Sequence, residues 1–319
     1  MHRATHPVPS VAIVGVGLVG ATTAHALLMS GTAAEIILID RDKNRVEGHV
    51  DDLRDATLYA HQTRIFAGDF SDCATADVVI ITVGAAQKLD FASRLTSLNE
   101  SGAMMKDVIT EMTRHQPKGV FVIATNPVDV LTYAAWKWSG LAWTRVIGSG
   151  TSLDSSRLRR RLGDLYGVAA ESVHASVLGE HGDSQVAMLS AARIAGVPLL
   201  EFSIDRAKPY DEVELRNIAE GARRGGYEIA RAKGATYYGI SAALTRIAAA
   251  ILRDEHAVLT VSTLAPEKMD LGSVCLSLPC VIGRSGISGV LPVQMSSEES
   301  QALRRSADIL QGYIAKLPA

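Results

Sequence analysis

Val11-Ala12-Ile13-Val14-Gly15-Val16-Gly17-Leu18-Val19-Gly20 is the stretch on which the fold turns. A short, mostly β-branched apolar run meets three glycines spaced Gly15-x-Gly17-x-x-Gly20, and a helical pattern, Val19–Ser30, follows at once. In such a strand–turn–helix unit the first glycine permits a tight turn and the second lets the backbone approach a pyrophosphate. The third lets helix and strand pack closely. The helix N-terminus adds free N–H groups and the positive end of its dipole. A second strand pattern, Glu35–Ile39, ends in Asp40, twenty residues beyond Gly20. A carboxylate there accepts the hydroxyls of an adenosine ribose and repels a 2′-phosphate, which selects NAD over NADP. Arg41 beside it softens that exclusion, and a capping aspartate after a structural strand is the alternative. The apolar run Val11–Ala34, behind His2 and Arg3, has the length of a signal peptide or membrane span. Gly15, Gly17, Gly20, His25 and Gly31 interrupt it, so it reads as strand, turn and helix.

Outward from that unit, strand patterns at Val78–Val83, Val120–Ala124 and Val146–Gly148 alternate with helical ones at Asn44–Ala60, Leu98–Arg114 and Val128–Ser139. Val78-Val79-Ile80-Ile81 is apolar on both faces, as a parallel sheet covered on both sides requires. The alternation predicts an α/β domain over residues 1–148, a Rossmann doubly wound parallel sheet with its ligand edge at the carboxyl ends of the strands. From about Ser149 the pattern changes. A helix at Leu153–Tyr166 leads to a strand-like stretch, Ser172–Leu178, and two long helical patterns, Asp211–Ala232 and Thr236–Arg253. Strand-like runs at Ala257–Thr263 and Ser273–Ile282 precede a charged helix, Ser297–Lys316. This predicts an α+β substrate domain over residues 149–319, packed tightly on the first without a flexible linker.

Composition sets outer bounds. Of 319 residues, 47% are apolar and 21% charged, which are globular proportions. Thirty-two Lys and Arg against thirty-four Asp and Glu leave a net charge of −2, with no basic surplus to draw the chain onto nucleic acid or anionic lipid. Three cysteines, Cys73, Cys275 and Cys280, are too few and too odd for a disulfide-built secreted protein and fit a reducing compartment. No Cys/His cluster has zinc-ligand spacing, so no metal is expected.

Three polar segments carry the chemistry: Ala124-Thr125-Asn126-Pro127-Val128-Asp129, Gly150-Thr151-Ser152-Leu153-Asp154-Ser155-Ser156-Arg157, and Leu178-Gly179-Glu180-His181-Gly182-Asp183-Ser184. His181 lies in a glycine-flanked turn, and an imidazole titrates near neutral pH, so it can give and take a proton. Asp154 and Arg157, three apart on one helix, project from one face and set a carboxylate beside a guanidinium. With the glycine fingerprint, the order and spacing of these segments resemble the lactate/malate dehydrogenase family, from about Ser10 to the last helix. The resemblance implies an oxidoreductase that moves a hydride reversibly between NADH and a 2-oxo acid. It makes His181 the proton donor, Asp154 the carboxylate that orients it, and Arg157 the two-pronged grip on the substrate carboxylate. It assigns Asn126 to the substrate and nicotinamide side, Thr236 to the substrate's small side chain and Ile240 to the nicotinamide ring. Gly84 joins Gly15, Gly17, Gly20 and Asp40 as cofactor-binding positions.

After Val83-Gly84-Ala85-Ala86 comes Gln87-Lys88-Leu89-Asp90-Phe91-Ala92-Ser93-Arg94, where the family has a loop that closes over substrate. The segment is one residue longer than the Gln-Lys-Pro-Gly-Glu-Thr-Arg of lactate-type members and lacks the Pro-Gly. By resemblance Arg94 polarises the substrate carbonyl when the loop shuts. Counting from the left puts Gln87 at the specificity position, and counting from the right puts Lys88 there. A neutral Gln favours pyruvate, whereas malate-type members pair a second carboxylate with an Arg. Lactate oxidation and pyruvate reduction are therefore the leading expectation, with malate or a broad range of L-2-hydroxy acids as the alternative. A non-catalytic NAD-binding protein is the rival of another class, against which His181, Asp154, Arg157 and Arg94 stand together. Arg159, about 200° around the helix from Arg157, and His174 match positions with which allosteric bacterial members bind fructose 1,6-bisphosphate between subunits. A solvated arginine and an incidental histidine are the plain alternative. The family also implies a cytoplasmic homotetramer at work in glycolysis and fermentation.

Overall fold

β1 (Ser10–Val14), β4 (Val78–Ile81) and β5 (Val120–Ile123) are buried at every position, and strands with no exposed face belong inside a sheet covered on both sides. The computed structural model of the chain describes residues 8–84, 94–203 and 212–317. In it β1 pairs in parallel with β2 (Glu35–Ile39) and with β4; β2 pairs with β3 (Arg64–Ala67), β4 with β5, and β5 with β6 (Val146–Gly148), all parallel. The order β3-β2-β1-β4-β5-β6 reverses its winding between β1 and β4, the position where such sheets open a crevice at the strands' carboxyl ends. The connections include α1 (Leu18–Ser30), α2 (Lys43–Ala56), α3 (Arg94–Thr113) and α4 (Val128–Ser139).

The glycine turn is set by sterics. Gly15 has φ +96°, a region open to glycine, and its N–H donates to the Ile39 carbonyl at 2.8 Å, tying the turn to β2. A Cβ on Gly20 would lie 2.0 Å from the Gly15 carbonyl oxygen, so the helix approaches the turn as closely as backbone permits.

β3 falls in a stretch from which the sequence predicts no strand: four residues led by an exposed arginine carry too short an alternation. The predicted strand Val78–Val83 ends at Ile81, and the predicted helix Asn44–Ala60 ends at Ala56 before a single 3₁₀ turn.

Past β6 the chain enters α5 (Ser152–Tyr166), then β7 (Val173–His174), β8 (Val177–Leu178), β9 (Val186–Ala187), β10 (Arg193–Ile194) and β11 (Val197–Pro198). The single strand expected over Ser172–Leu178 is thus two, in different sheets: β7 pairs with β10, and β8 with β9. Side chains of α5 take the Val177 backbone. Its N–H donates to Ser155 Oγ at 2.9 Å, and its carbonyl accepts from the Thr151 hydroxyl. α6 (Glu212–Lys233), α7 (Tyr238–Leu252), β12 (Ala257–Leu264), β13 (Cys275–Gly283), β14 (Gly286–Val290) and α8 (Ser297–Ile314) complete the order. β12 pairs antiparallel with β13 and meets β6 at Ser262–Gly148, and β14 adds to β13, so one nine-stranded sheet crosses the middle of the chain. β14 went unpredicted because Gly286, Ser288 and Gly289 dilute its apolar pattern.

The main core spans both halves, with Val11, Ile80 and Phe121 in the same buried cluster as Ile247, Leu278 and Leu310. A second cluster, including Leu158, Val173, Ile194 and Ala222, joins α5 to α6 and the short strands. The three cysteines are buried and unpaired. Among the described residues no helix is long and apolar enough to cross a membrane, and no group of His, Cys, Asp and Glu is arranged to hold a metal ion.

Gly20→Ala is expected to destabilise the chain by about 1–3 kcal/mol through overpacking and to weaken NADH binding. A shift of the denaturant midpoint and a fluorescence titration with NADH check it.

Candidate active site

Parallel strands bring their successors to one edge. The turn after β1 carries Gly15, Gly17 and Gly20, β2 runs into Asp40, β4 into Gly84, β5 into Asn126, and β6 into the turn that opens α5.

The nucleotide end suits a dinucleotide phosphate. A Cβ on Gly17 would meet nothing within 4 Å, and α1 begins there with no side-chain cap, leaving its first N–H groups facing open space. A groove of about 260 Å³ lies against Val16, Gly17 and Thr22 and reaches Arg45 and His49 on α2. Asp40 accepts from the Val16 N–H at 2.8 Å and the Asp42 N–H at 3.2 Å, and Arg45 stands 3.5 Å from its Oδ1. Partial burial pushes its pKa up, but those N–H donors and Arg45 outweigh this, so its carboxyl is held below the usual range. The N-cap of α2 is Asp42 rather than Asp40. Asp40 couples the end of β2 to the glycine turn through the Val16 N–H. Gly84 sits exposed at the end of β4, where a Cβ would come within 3.0 Å of Thr125 Cγ2.

At the other end, Asp154 is 2% exposed in the first turn of α5. Its Oδ2 lies 2.6 Å from His181 Nδ1, and its Oδ1 accepts from Arg157 Nη1 at 2.9 Å. One buried carboxylate therefore holds both the imidazole and the guanidinium. His181 keeps 28% of its side chain exposed and Arg157 13%, so both reach the cleft while Asp154 does not. With Nδ1 committed to Asp154, Nε2 is the imidazole nitrogen left for another partner. Burial disfavours the imidazolium, but the charge and hydrogen bond of Asp154 prevail, with help from Asp129, and the His181 pKa lies above its ordinary value. Burial likewise pushes Asp154 up, and His181 and Arg157 together bring it below the usual carboxylate range.

The loop bearing His181 is tied down on three sides. The Glu180 N–H donates to Ser306 Oγ on α8 at 2.8 Å, and Ser184 Oγ donates to Glu180 Oε2 at 2.6 Å. Asp183 accepts from Arg223 Nη1 on α6 at 3.0 Å. The His181 N–H donates to Asp129 Oδ2 on α4 at 2.7 Å. Sequence reasoning quoted Asp129, Glu180 and Asp183 without giving them roles. Their signal was present, as three carboxylates within the two polar segments that flank Asp154.

Asn126 is half-buried between β5 and α4, with Thr125 anchored by its hydroxyl to the Val83 carbonyl at 2.6 Å. Thr236 lies in the turn between α6 and α7, and Ile240 in the first turn of α7, packed on the core. That turn abuts α5, since a Cβ on Gly239 would come within 2.9 Å of Leu153 Cδ1, next to Asp154. Gln87 and Lys88 lie outside the described residues. Arg94 opens α3, but its side chain too lies outside them. On the far side of α5, Arg159 Nη2 donates to the Glu171 carbonyl at 3.5 Å, three residues before His174, which is exposed on β7.

The lactate/malate dehydrogenase family matches the chain in two parts, its NAD binding domain over residues 10–148 and its alpha/beta C-terminal domain over residues 151–319. The L-lactate dehydrogenase of Thermus aquaticus is 44% identical over 307 residues, 96% of this chain and 99% of that one. The L-lactate dehydrogenase of Acetivibrio thermocellus is 40% identical over 310 residues, 97% and 98% of the two chains. Among solved structures, a minor L-lactate dehydrogenase from Enterococcus mundtii superimposes with a TM-score of 0.94 at 33% identity, covering 98% of this chain and 99% of that one. A lactate dehydrogenase from a Medee basin deep-sea metagenome library gives 0.93 at 37%, with the same coverage.

The His181–Asp154 pair has a pH signature. A raised histidine pKa contributes stability that is full below the unfolded value, about 6.5, and lost as pH rises through the folded value. A depressed aspartate pKa contributes stability that is full above about 3.9 and lost as pH falls through the folded value. The stability lost in Asp154→Asn should therefore be greatest between about pH 4 and pH 6.5 and shrink on either side. Denaturant melts of both proteins across pH check this.

Proposed function

The chain belongs to the lactate/malate dehydrogenase family, and we propose that it is an NAD-dependent L-lactate dehydrogenase, acting in the cytoplasm on pyruvate and L-lactate. The observation that carries the proposal is the shared use of Asp154. A 2-oxo acid has its carbonyl one bond from its carboxylate. A single carboxylate holding a proton carrier and a guanidinium fixes the spacing of two groups that must meet those two ends at once. Bound NADH supplies the hydride, and the glycine turn, the α1 N-terminus and Asp40 are the residues that would hold it. Arg157, with one Nη on Asp154, keeps further N–H donors for the substrate carboxylate. His181 presents Nε2 to the substrate oxygen, gives its proton as the alkoxide develops, and takes it back in the reverse direction. Asp154 stabilises the imidazolium, so His181 stays charged until it is needed. Arg94, at the start of α3 behind the loop, is assigned to polarise the carbonyl, and Gln87 to face the substrate methyl. Asn126, Thr236 and Ile240 line the remaining sides.

From the sequence resemblance we further read the enzyme as a homotetramer with a second anion site. Arg159 donates to the Glu171 carbonyl, three residues before the exposed His174, and a guanidinium and an imidazole from each subunit would suit a bisphosphate.

Pyruvate should give a higher kcat/KM than oxaloacetate or 2-oxoisocaproate when NADH consumption is followed side by side, and turnover of none of them would end the proposal. His181→Ala should lower kcat by about 10²–10⁴-fold. Arg157→Lys should raise KM about tenfold or more, because an ammonium cannot make the paired hydrogen bonds. Fructose 1,6-bisphosphate should lower the pyruvate concentration for half-saturation, and Arg159→Ala should remove that response. A saturation curve unmoved by the bisphosphate between about pH 5.5 and pH 7.5 would count against the second site.

A further inference from the structure

Asp129 is the buried carboxylate that this mechanism leaves without a task. It stands at the second position of α4, 2% exposed. Its Oδ2 accepts the backbone N–H of His181 at 2.7 Å, while its Oδ1 is fully buried with the Ser262 hydroxyl nearby but outside good hydrogen-bond geometry. An ionised carboxylate with one well-formed hydrogen bond is costly to bury and calls for a compensating charge. The groups facing it come from three elements: His181 and Glu180 on the loop, Ser262 on β12 and Cys275 on β13. Of these His181 is the cation.

We propose that Asp129 is a positioning residue for proton transfer, fixing the backbone of His181 from behind and adding a second negative charge to the field that keeps the imidazole protonated. Two carboxylates then act on His181 from different sides, Asp154 on the ring and Asp129 on the main chain. Asp154 sets the direction of the ring and also serves Arg157, whereas Asp129 serves His181 alone of the two cations. Burial pushes the Asp129 pKa up to about 6, against the pull of Ser262 and His181, so it is ionised at neutral pH but within reach of protonation. Its charge in turn raises His181.

The inference rests on His181 being the proton carrier. Asp129→Asn keeps an oxygen for the His181 N–H and removes the charge. Pyruvate reduction requires protonated His181, so its kcat/KM falls as pH rises through the His181 pKa. Loss of a nearby negative charge lowers that pKa, and the alkaline limb should move to lower pH by about half a unit or more. Asp129→Ala, which also loses the acceptor, should lower kcat about tenfold or more with KM little changed, and the Asn variant should recover most of that rate below its shifted limb. In the unaltered protein, the amide proton of His181 should report the titration of its acceptor by NMR, with an inflection on the acid side of neutrality. This readout needs no variant to fold. A wild-type limb in Asp129→Asn, or a His181 amide shift flat between about pH 4 and pH 8, overturns the role of Asp129. A His181→Ala variant with full activity would instead remove the premise, so the two failures are distinguishable.

Discussion

The carboxylate of Asp154, buried and divided between His181 and Arg157, is the interaction around which the site is organised. Each of its oxygens has a partner at that depth, where an unpaired buried charge costs several kcal/mol. The two cations therefore cannot drift from it without a penalty. The demand reaches into the fold. α5 must begin where β6 ends, so that its first turn faces the cleft, and the loop bearing His181 must return to that turn from the far side of β8. Thr151 and Ser155, on the same turn of α5, hold the Val177 backbone two residues before Gly179 and so bring that loop in.

Loops are in general more mobile than the elements they join. Here the loop is tied to α4 through Asp129, to α6 through Asp183 and to α8 through Glu180 and Ser184, so three helices distant in sequence share the task of holding one residue. The net charge of −2 conceals this arrangement. Arg157 and His181 share the carboxylate of Asp154, Arg223 meets Asp183, and Asp40 takes the Val16 N–H of the glycine turn, so charges of both signs are placed group by group. Strength and direction come from placement within a poorly screened interior, which a sum over the chain cannot express.

Much of the fold was legible because its signals are local. A run buried on both faces needs four consecutive apolar residues, and Val78–Ile81 supplies them. The glycine turn needs a positive φ at Gly15 and the absence of a Cβ at Gly20, and glycine meets each demand. Asp154 and Arg157 share a face because a helix repeats every 3.6 residues, which any i, i+3 pair obeys. β3 and β14 were illegible for the same reason. Their stability comes from the neighbour they pair with, and four or five residues interrupted by arginine, serine or glycine carry no pattern of their own. The division of Ser172–Leu178 into two strands was equally hidden, since β7 and β8 take different partners, β10 and β9, later in the chain.

The sequence by itself determined the class of the fold, the nucleotide edge, the polarity of the cofactor site at Asp40 and the residue types available for chemistry, because turn sterics, strand periodicity and side-chain acidity act over a few residues. Tertiary structure alone decided which nitrogen of His181 is free, that one carboxylate serves two cations, that β12 to β14 extend the first sheet rather than build another, and that Asp129 stands behind the histidine. Each of these is a relation between groups tens of residues apart. Distance, burial and dielectric between such groups exist only once the chain has closed on itself.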